Sequence, residues 1–514
     1  MRHNGWLRVL AVLVPLALSG CLSSEGLYED VHTSRVSAYQ TWQGQRSAER
    51  ASETLLKGQL SLQDSLKVAL VQNKQLQAAL EEKEVARGQV VASYSEVLPK
   101  LTAVANYTRL DKVSSFDVGG QSVALGFENN YSADLVVSQP IFRGGAISAA
   151  IRASRLFAYL SDESVRGQVQ QTIYEVARTY YDALLAQELY AVNEDAVKSA
   201  EIHLEDVKRK RGEGIASQFD VLRAEVDLSN FRAEMIQQLN RIHLSKTRLL
   251  KTMGVSQDSD VKLTGELTYE PMKPVLEEAV RLAHMNRPDL YQAELGVRLE
   301  QEALTIAKSR YWPSVDAVFT QGWSRPDPHT SSLDKWGDVW TAGVTASWPI
   351  FDGLAREGRV IQERAKLKKS KIELLDAQER ALLEVQQAIL SLRDAEEFVE
   401  SQRQSSGRAE EGLRLAQVGY REGINTEVEV ADARAALTRA KGFYYQAVYS
   451  HNVARLDLQR AMGILGPRAG ETGPPVKSQP TPGHIEEFVV PKPEAGEHGA
   501  EKDSGQPQDN QGDK

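Results

Sequence analysis

The one thiol in the chain, Cys21, closes the run Leu18-Ser19-Gly20-Cys21. Ahead of it stand Arg2 and Arg8, then the apolar stretch Val9–Leu18, which is the layout of an export signal. Small residues before a cysteine are what a lipoprotein signal peptidase requires. The chemistry expected is therefore removal of residues 1–20 and acylation of the Cys21 sulfur, palmitate included. A chance tetrad is the competing explanation. Leu22 follows the cysteine where an aspartate would favour retention in the inner membrane, so the outer membrane is the expected address. A single cysteine also excludes a disulfide.

No other residue set is arranged for catalysis. The nine histidines are scattered, with no pair at metal-ligand spacing, and the six methionines form no stripe. Lys210-Arg211-Gly212-Glu213-Gly214 contains glycines but lacks the strand, spacing and Lys-Ser/Thr of a phosphate loop. The expectation is a protein without enzymatic activity, metal or cofactor. A net charge of −9 gives no electrostatic footprint for nucleic acid.

The elements are laid out by an internal repeat. Pro140-Ile141-Phe142, Gly214-Ile215 and Met253-Gly254 recur 209 residues later as Pro349-Ile350-Phe351, Gly423-Ile424 and Met462-Gly463. Upstream, Leu62, Leu76 and Pro99 match Leu276, Leu290 and Pro313 at an offset of 214. The chain reads as one unit duplicated, repeat 1 over 61–254 and repeat 2 over 275–465, joined by a linker at 255–274. Residues 21–60 read as a polar tether, and 466–514, with eight of the eighteen prolines, as a disordered tail.

No proline occurs from Ile141 to Glu270 or from Ile350 to Gly466, which leaves room for very long helices. Val221, Leu228, Met235, Ile242 and Leu249 recur every seven residues, and Leu382, Val385, Ile389, Leu392 and Val399 follow a three-four seam. Ala433, Ala440, Ala447, Ala454 and Ala461 form a heptad row of one small residue. These patterns predict long helices at about 146–211 and 354–421, each roughly 100 Å if continuous. Return helices follow at about 216–253 and 425–462, and single helices are expected over Ser61–Leu98 and Val275–Trp312.

Between them the period changes to two. Tyr131, Ala133, Leu135 and Val137 alternate with Ser132, Asp134, Val136 and Ser138, and Trp340, Ala342, Val344, Ala346 and Trp348 alternate with small polar residues. The spacing predicts β-hairpins at about 101–141 and 315–351, with strands of the length that crosses a bilayer when tilted. A soluble hairpin packed on the helices is the plainer alternative. No apolar run after Cys21 is long enough for a transmembrane helix, so a crossing needs a barrel. Four strands cannot close one, and an open edge in lipid would leave backbone groups unpaired, so other copies of the chain must complete it.

Ala69-Leu70 through Ala78-Ala79, Leu98-Pro99 and Pro140-Ile141-Phe142 resemble the first half of a TolC-like outer membrane efflux protein. Asn286-Arg287-Pro288-Asp289-Leu290, Trp312-Pro313 and Pro349-Ile350-Phe351-Asp352-Gly353 resemble its second half, and the likeness spans Ser61 to Leu465. Lys74 departs from the pattern, since the family usually has a proline after that asparagine. The resemblance implies a mainly α channel-tunnel, trimeric, with a 12-stranded barrel in the outer membrane and a long periplasmic extension. It also implies partners: a periplasmic adaptor and an inner-membrane transporter. The corresponding docking tip is Gly214, Ile215, Gly423 and Ile424, and the acids matching an entrance ring are Asp220, Glu429 and Asp432. Asn425 stands where some relatives carry a basic residue that ties the tip shut, which leaves Tyr420 or Arg421 to supply such a tie. The expected function is a passive conduit for a tripartite efflux pump. Two alternatives are a conduit for type I protein secretion and, from another class, a periplasmic coiled-coil adaptor or scaffold lipoprotein.

Overall fold

The computed structural model describes residues 24–51, 56–119, 121–330 and 333–466. All of them belong to one unit, Met1–Gly470; the signal segment, Cys21 and the tail expected from 466 onward lie outside them, save Gly466 itself. The polar stretch read as a tether is helical: α1 spans Ser24–Ala51. It contains no proline, and its Arg46 guanidinium holds Asp258 at 2.8 Å.

Strand β1 (Lys57–Leu60) pairs in parallel with β6 (Asp260–Leu263), so the end of the stretch read as a tether, just ahead of repeat 1, is stitched to the linker that follows that repeat. Next come α2 (Leu62–Gln72) and α3 (Lys74–Tyr94). The single helix expected here is broken at Asn73. Its side-chain oxygen accepts from the Leu76 N–H while its amide donates to the Thr252 carbonyl, so the side chain replaces helical bonds without any proline. In repeat 2 the equivalent helix breaks at Arg287 into α6 (Leu276–Asn286) and α7 (Pro288–Ser309), because Pro288 forces the preceding residue out of the helical region. The breaks are tightly packed. A Cβ on Gly463 would sit 2.8 Å from the Arg287 nitrogen, and one on Gly254 would collide with the Gln72 carbonyl.

The hairpin strands are β2 (Lys100–Arg109), β5 (Asn129–Phe142), β7 (Ser314–Arg325) and β8 (Gly337–Ser347). They form one antiparallel sheet in the order β2-β5-β7-β8. The loop expected between β2 and β5 contains its own small hairpin, β3 (Ser114–Val118) and β4 (Gln121–Leu125). In register, Val104 pairs with Asp134, which pairs with Gly322, which pairs with Val339. One sheet face thus carries small and polar residues; the other carries Tyr107, Phe319, Trp323, Trp340 and Val344, all exposed. Both edges, β2 and β8, are free of strand partners among the described residues.

The long helices are α4 (Ala146–Gly212) and α8 (Ala355–Arg421), 67 residues each, and the return helices are α5 (Gln218–Met253) and α9 (Glu427–Ala461). Near the sheet the packing runs α3-α4-α7-α8; in the half distant from it, α5-α4-α9-α8. Helix α4 therefore has neighbours on both sides throughout, and α8 is an edge from end to end. The main core cluster lies where the halves meet, with Tyr180, Leu184, Leu249, Met253, Val399 and Val448 buried and the Tyr180 hydroxyl donating to the Leu60 carbonyl at 3.1 Å. Four members of the alanine row, Ala440, Ala447, Ala454 and Ala461, are buried. No described helix is long and apolar enough to cross a membrane.

Candidate functional site

The chain reverses direction twice at the end remote from the sheet, by the same local grammar. Helix α4 closes with Arg209, Lys210 and Arg211 in its last turn, where cations favour the negative end of the helix dipole. Gly214 then adopts φ +78, and the Ile215 N–H reaches back to the Lys210 carbonyl at 2.8 Å. Gly423 adopts φ +74, and the Ile424 N–H reaches the Gly419 carbonyl at 2.8 Å. A Cβ at either glycine would meet nothing within 4 Å, so it is the left-handed backbone, not crowding, that calls for glycine. Ile215 and Ile424 stand 72% and 80% exposed at the two reversals, apolar side chains left uncovered by the described residues.

A capping box starts each return helix. The Asp220 carboxylate accepts from the Ser217 N–H at 2.8 Å, and the Glu429 carboxylate accepts from the Thr426 N–H at 2.6 Å. Two of the three acids singled out for an entrance ring are thus held in place by their own helix starts. Asp432 is different: its side chain is 76% exposed, with the nearest cation, Arg223, at 4.0 Å.

Behind the second reversal lies a charged cluster that the sequence reading missed. His203 on α4 and Glu427 on α9 are both buried, with the histidine Nε2 2.6 Å from each carboxylate oxygen. Arg434 is 2% exposed, donates from Nε to Ser199 at 3.3 Å, and has its pKa drawn down by burial against the opposing pull of Glu427 and Asp227. Burial also raises the Asp227 carboxyl. Tyr420 sets its ring 5.8 Å from His203, tilted by 59°, and takes the Lys210 ammonium on its face at 3.8 Å. Its hydroxyl is pushed up to about 12, by burial first and then by Glu427, Asp206 and Asp220. Tyr420 is thus engaged with α4 through Lys210 and His203. The Asn425 amide donates to the Ala416 carbonyl at 3.4 Å, within its own hairpin.

One sequence signal pointed to this cluster. Applying the 209 offset, His203, Glu427, Arg434 and Asp227 correspond to Gly412, Gln218, Glu225 and Ala436, so every member departs from its repeat partner. The arrangement ties the repeat 2 hairpin to α4 through groups that repeat 1 lacks. Among the described residues no group of histidines, cysteines and carboxylates is placed to hold a metal ion.

The sequence profile described as outer membrane efflux protein matches residues 65–255 and 279–464, one block in each repeat. The probable efflux pump outer membrane protein TtgC of Pseudomonas putida is 22% identical over 405 residues, covering 78% of this chain and 83% of that protein. The alkaline protease secretion protein AprF of Pseudomonas aeruginosa is 22% identical over 414 residues, 79% of this chain and 85% of its own length. Among solved structures, the outer membrane protein VceC of Vibrio cholerae superposes with a TM-score of 0.68 at 18% identity, over 78% of this chain and 96% of that one.

Proposed function

This chain belongs to the outer membrane efflux protein family, and we propose that three copies close into one tunnel that carries substrates from a periplasmic pump assembly to the exterior. It is an outer membrane channel protein with a periplasmic tunnel fold, and the rival reading as a coiled-coil adaptor is set aside by the two family blocks. The observation that carries the proposal is the sheet with two free edges. Unpaired N–H and C=O groups cannot face hydrocarbon, and three copies of the four strands give a closed barrel of twelve.

In this proposal Cys21 is acylated and holds the sheet end at the outer membrane. The exposed isoleucines and the two glycine reversals form the surface that a periplasmic adaptor grips, and an inner-membrane transporter supplies the energy. Of the expected acidic ring, Asp432 is the exposed member that caps no helix, with Arg223 at 4.0 Å as its nearest cation. Asp220 and Glu429 add field there while capping their helices. The likeness to the secretion protein AprF favours a second reading, the same tunnel serving protein secretion.

Heat-modifiable gel mobility combined with outer-membrane fractionation tests the channel; a protein released as a soluble monomer once lipid is removed refutes it. Gly423→Trp is expected to assemble normally and abolish export, and normal export would remove the docking assignment. Asp432→Asn is expected to lower cation selectivity in planar bilayers, and unchanged selectivity would remove the ring.

A further inference from the structure

The free edge of α8 carries cations that have no acidic partner of their own. Helix α8 faces α7 through Ser370, Ala377 and Ala381. At 100° per residue, Arg364 and Lys368 fall on the side away from α7, among the exposed Ile361, Ile372, Leu375 and Leu382, with Glu379 further along the same side and Lys371 about a right angle from the α7 face. No carboxylate among the described residues forms an ion pair with Arg364, Lys368 or Lys371, although the neighbouring Lys366 and Lys369 pair with Glu363 and Glu373. Helix α3 is the opposite edge of the same helical layer. It faces α4 through Lys83, Ala86 and Ser93. Its far side carries Glu81, Glu84 and the exposed Val85; Glu84 touches only Arg87 of its own helix, at 3.2 Å.

The repeat supplies the register between these edges. Within the chain, α4 meets α7 through Arg152 on Glu302 at 2.8 Å and through Arg166 on the Asn286 carbonyl. In a closed ring the seam between α8 and the next copy's α3 is the repeat equivalent of that contact. Adding 209 on one side and subtracting 214 on the other places residue 361 opposite 88 and residue 375 opposite 72. Midway between those anchors Lys368 falls level with Leu80, one residue from Glu81, and one turn toward the sheet Arg364 falls between Glu84 and Val85.

We infer that the edge of α8 is the docking surface for α3 of a second copy of this chain, with Lys368 against Glu81 and Arg364 against Glu84. This inference rests on the ring proposed above. Opposite charges flanked by apolar residues fix register and partner more than they add affinity. Exposed pairs of this kind are individually weak, so the seam is selective because two pairs and an apolar stripe coincide.

Paired cysteines replacing Lys368 and Glu81 in the full chain, oxidised in outer membranes, provide the test. The variant keeping Cys21 as its one thiol serves as the control for unintended disulfides. The expected result is a covalent multimer that resists SDS and forms at least about tenfold faster than from cysteines at Leu375 and Glu81, on the same faces one heptad out of register. Equal or faster reaction of the 375–81 pair, while the unsubstituted protein still runs as a multimer, overturns the register. An unsubstituted protein that is monomeric in detergent overturns the ring itself. Arg364→Glu with Lys368→Glu is expected to lower the assembled fraction roughly tenfold at low salt, and Glu81→Lys with Glu84→Arg to restore it. Failure of that rescue overturns the charge match.

Discussion

The two reversals are built alike and housed differently. Each has a left-handed glycine, an exposed isoleucine and a capping box. Helix α9, behind the second, lies between α4 and α8 and buries Glu427, Arg434 and His451. Helix α5, behind the first, contacts α4 on one side and leaves Phe219, Leu222, Val226, Ile236 and Leu239 exposed on the other. A duplicated sequence has thus given one hairpin a polar interior anchor and the other an apolar outer face. The turn is conserved between the copies because it is local; the surroundings diverged because the two hairpins no longer have the same neighbours.

The sharpest way to break this contrast is Glu427→Ala, which takes the carboxylate from His203 and leaves the buried Arg434 with Asp227 alone. A loss of about 3 kcal/mol is expected from a buried pair broken on one side. Gln218→Ala, at the equivalent and exposed position on α5, is expected to change little; denaturant unfolding of the two variants compares them directly. Next come the glycines. Gly214→Ala and Gly423→Ala are each expected to lose about 1 kcal/mol, and equally, because the strain is in the backbone and not in the surroundings. Unequal losses would show that the surrounding helices, and not the turn, set the cost. Ser217→Ala and Thr426→Ala remove the caps, with about 1 kcal/mol or less expected at each, read from the same unfolding curves.

A pH series sharpens the contrast from the other end of the return helices. His451 is fully buried, edge-on to Tyr269 at 4.8 Å, and its nearest carboxylate, on Glu396, is 3.8 Å away. Burial first of all holds its pKa below the usual 6.5, with Glu396 opposing and Arg455 assisting. The unfolded chain therefore takes up the proton first as pH falls. The contribution of the neutral ring is complete above 6.5 and declines as pH drops through that value toward the lower folded one. The repeat partner of His451 is Ile242, which does not titrate. Thermal midpoints of His451→Ile are expected to lose part of the decline between neutral and mildly acid pH; an unchanged slope would remove the assignment.

The extent of the long helices, the two reversals and the four strands could be read from the sequence because each rests on a local rule: proline-free stretches, a glycine at the helix end, and period two. The break at Asn73 could not, since an asparagine can stand inside a helix until a distant acceptor, here the Thr252 carbonyl, takes its amide. Asp220 and Glu429 were visible but were read for their charge. Ser217 and Thr426, three residues earlier, already spelled out the capping box that employs them. His203 and Glu427 lie 224 residues apart, and only packing could bring them together. Leu382 was expected in a buried seam, yet it is 40% exposed on the edge of α8.

That edge also bears on how the protein comes into being. Among the described residues, a single copy presents two unpaired strand edges and one whole side of a 67-residue helix before it meets another copy. Entry of the sheet into lipid must then wait for ring closure, since hydrocarbon admits no open edge. Assembly is a collision between unfinished molecules, with a rate that rises steeply with their concentration. In the proposed ring, the charged register along α8 is what sorts productive collisions between copies from unproductive ones.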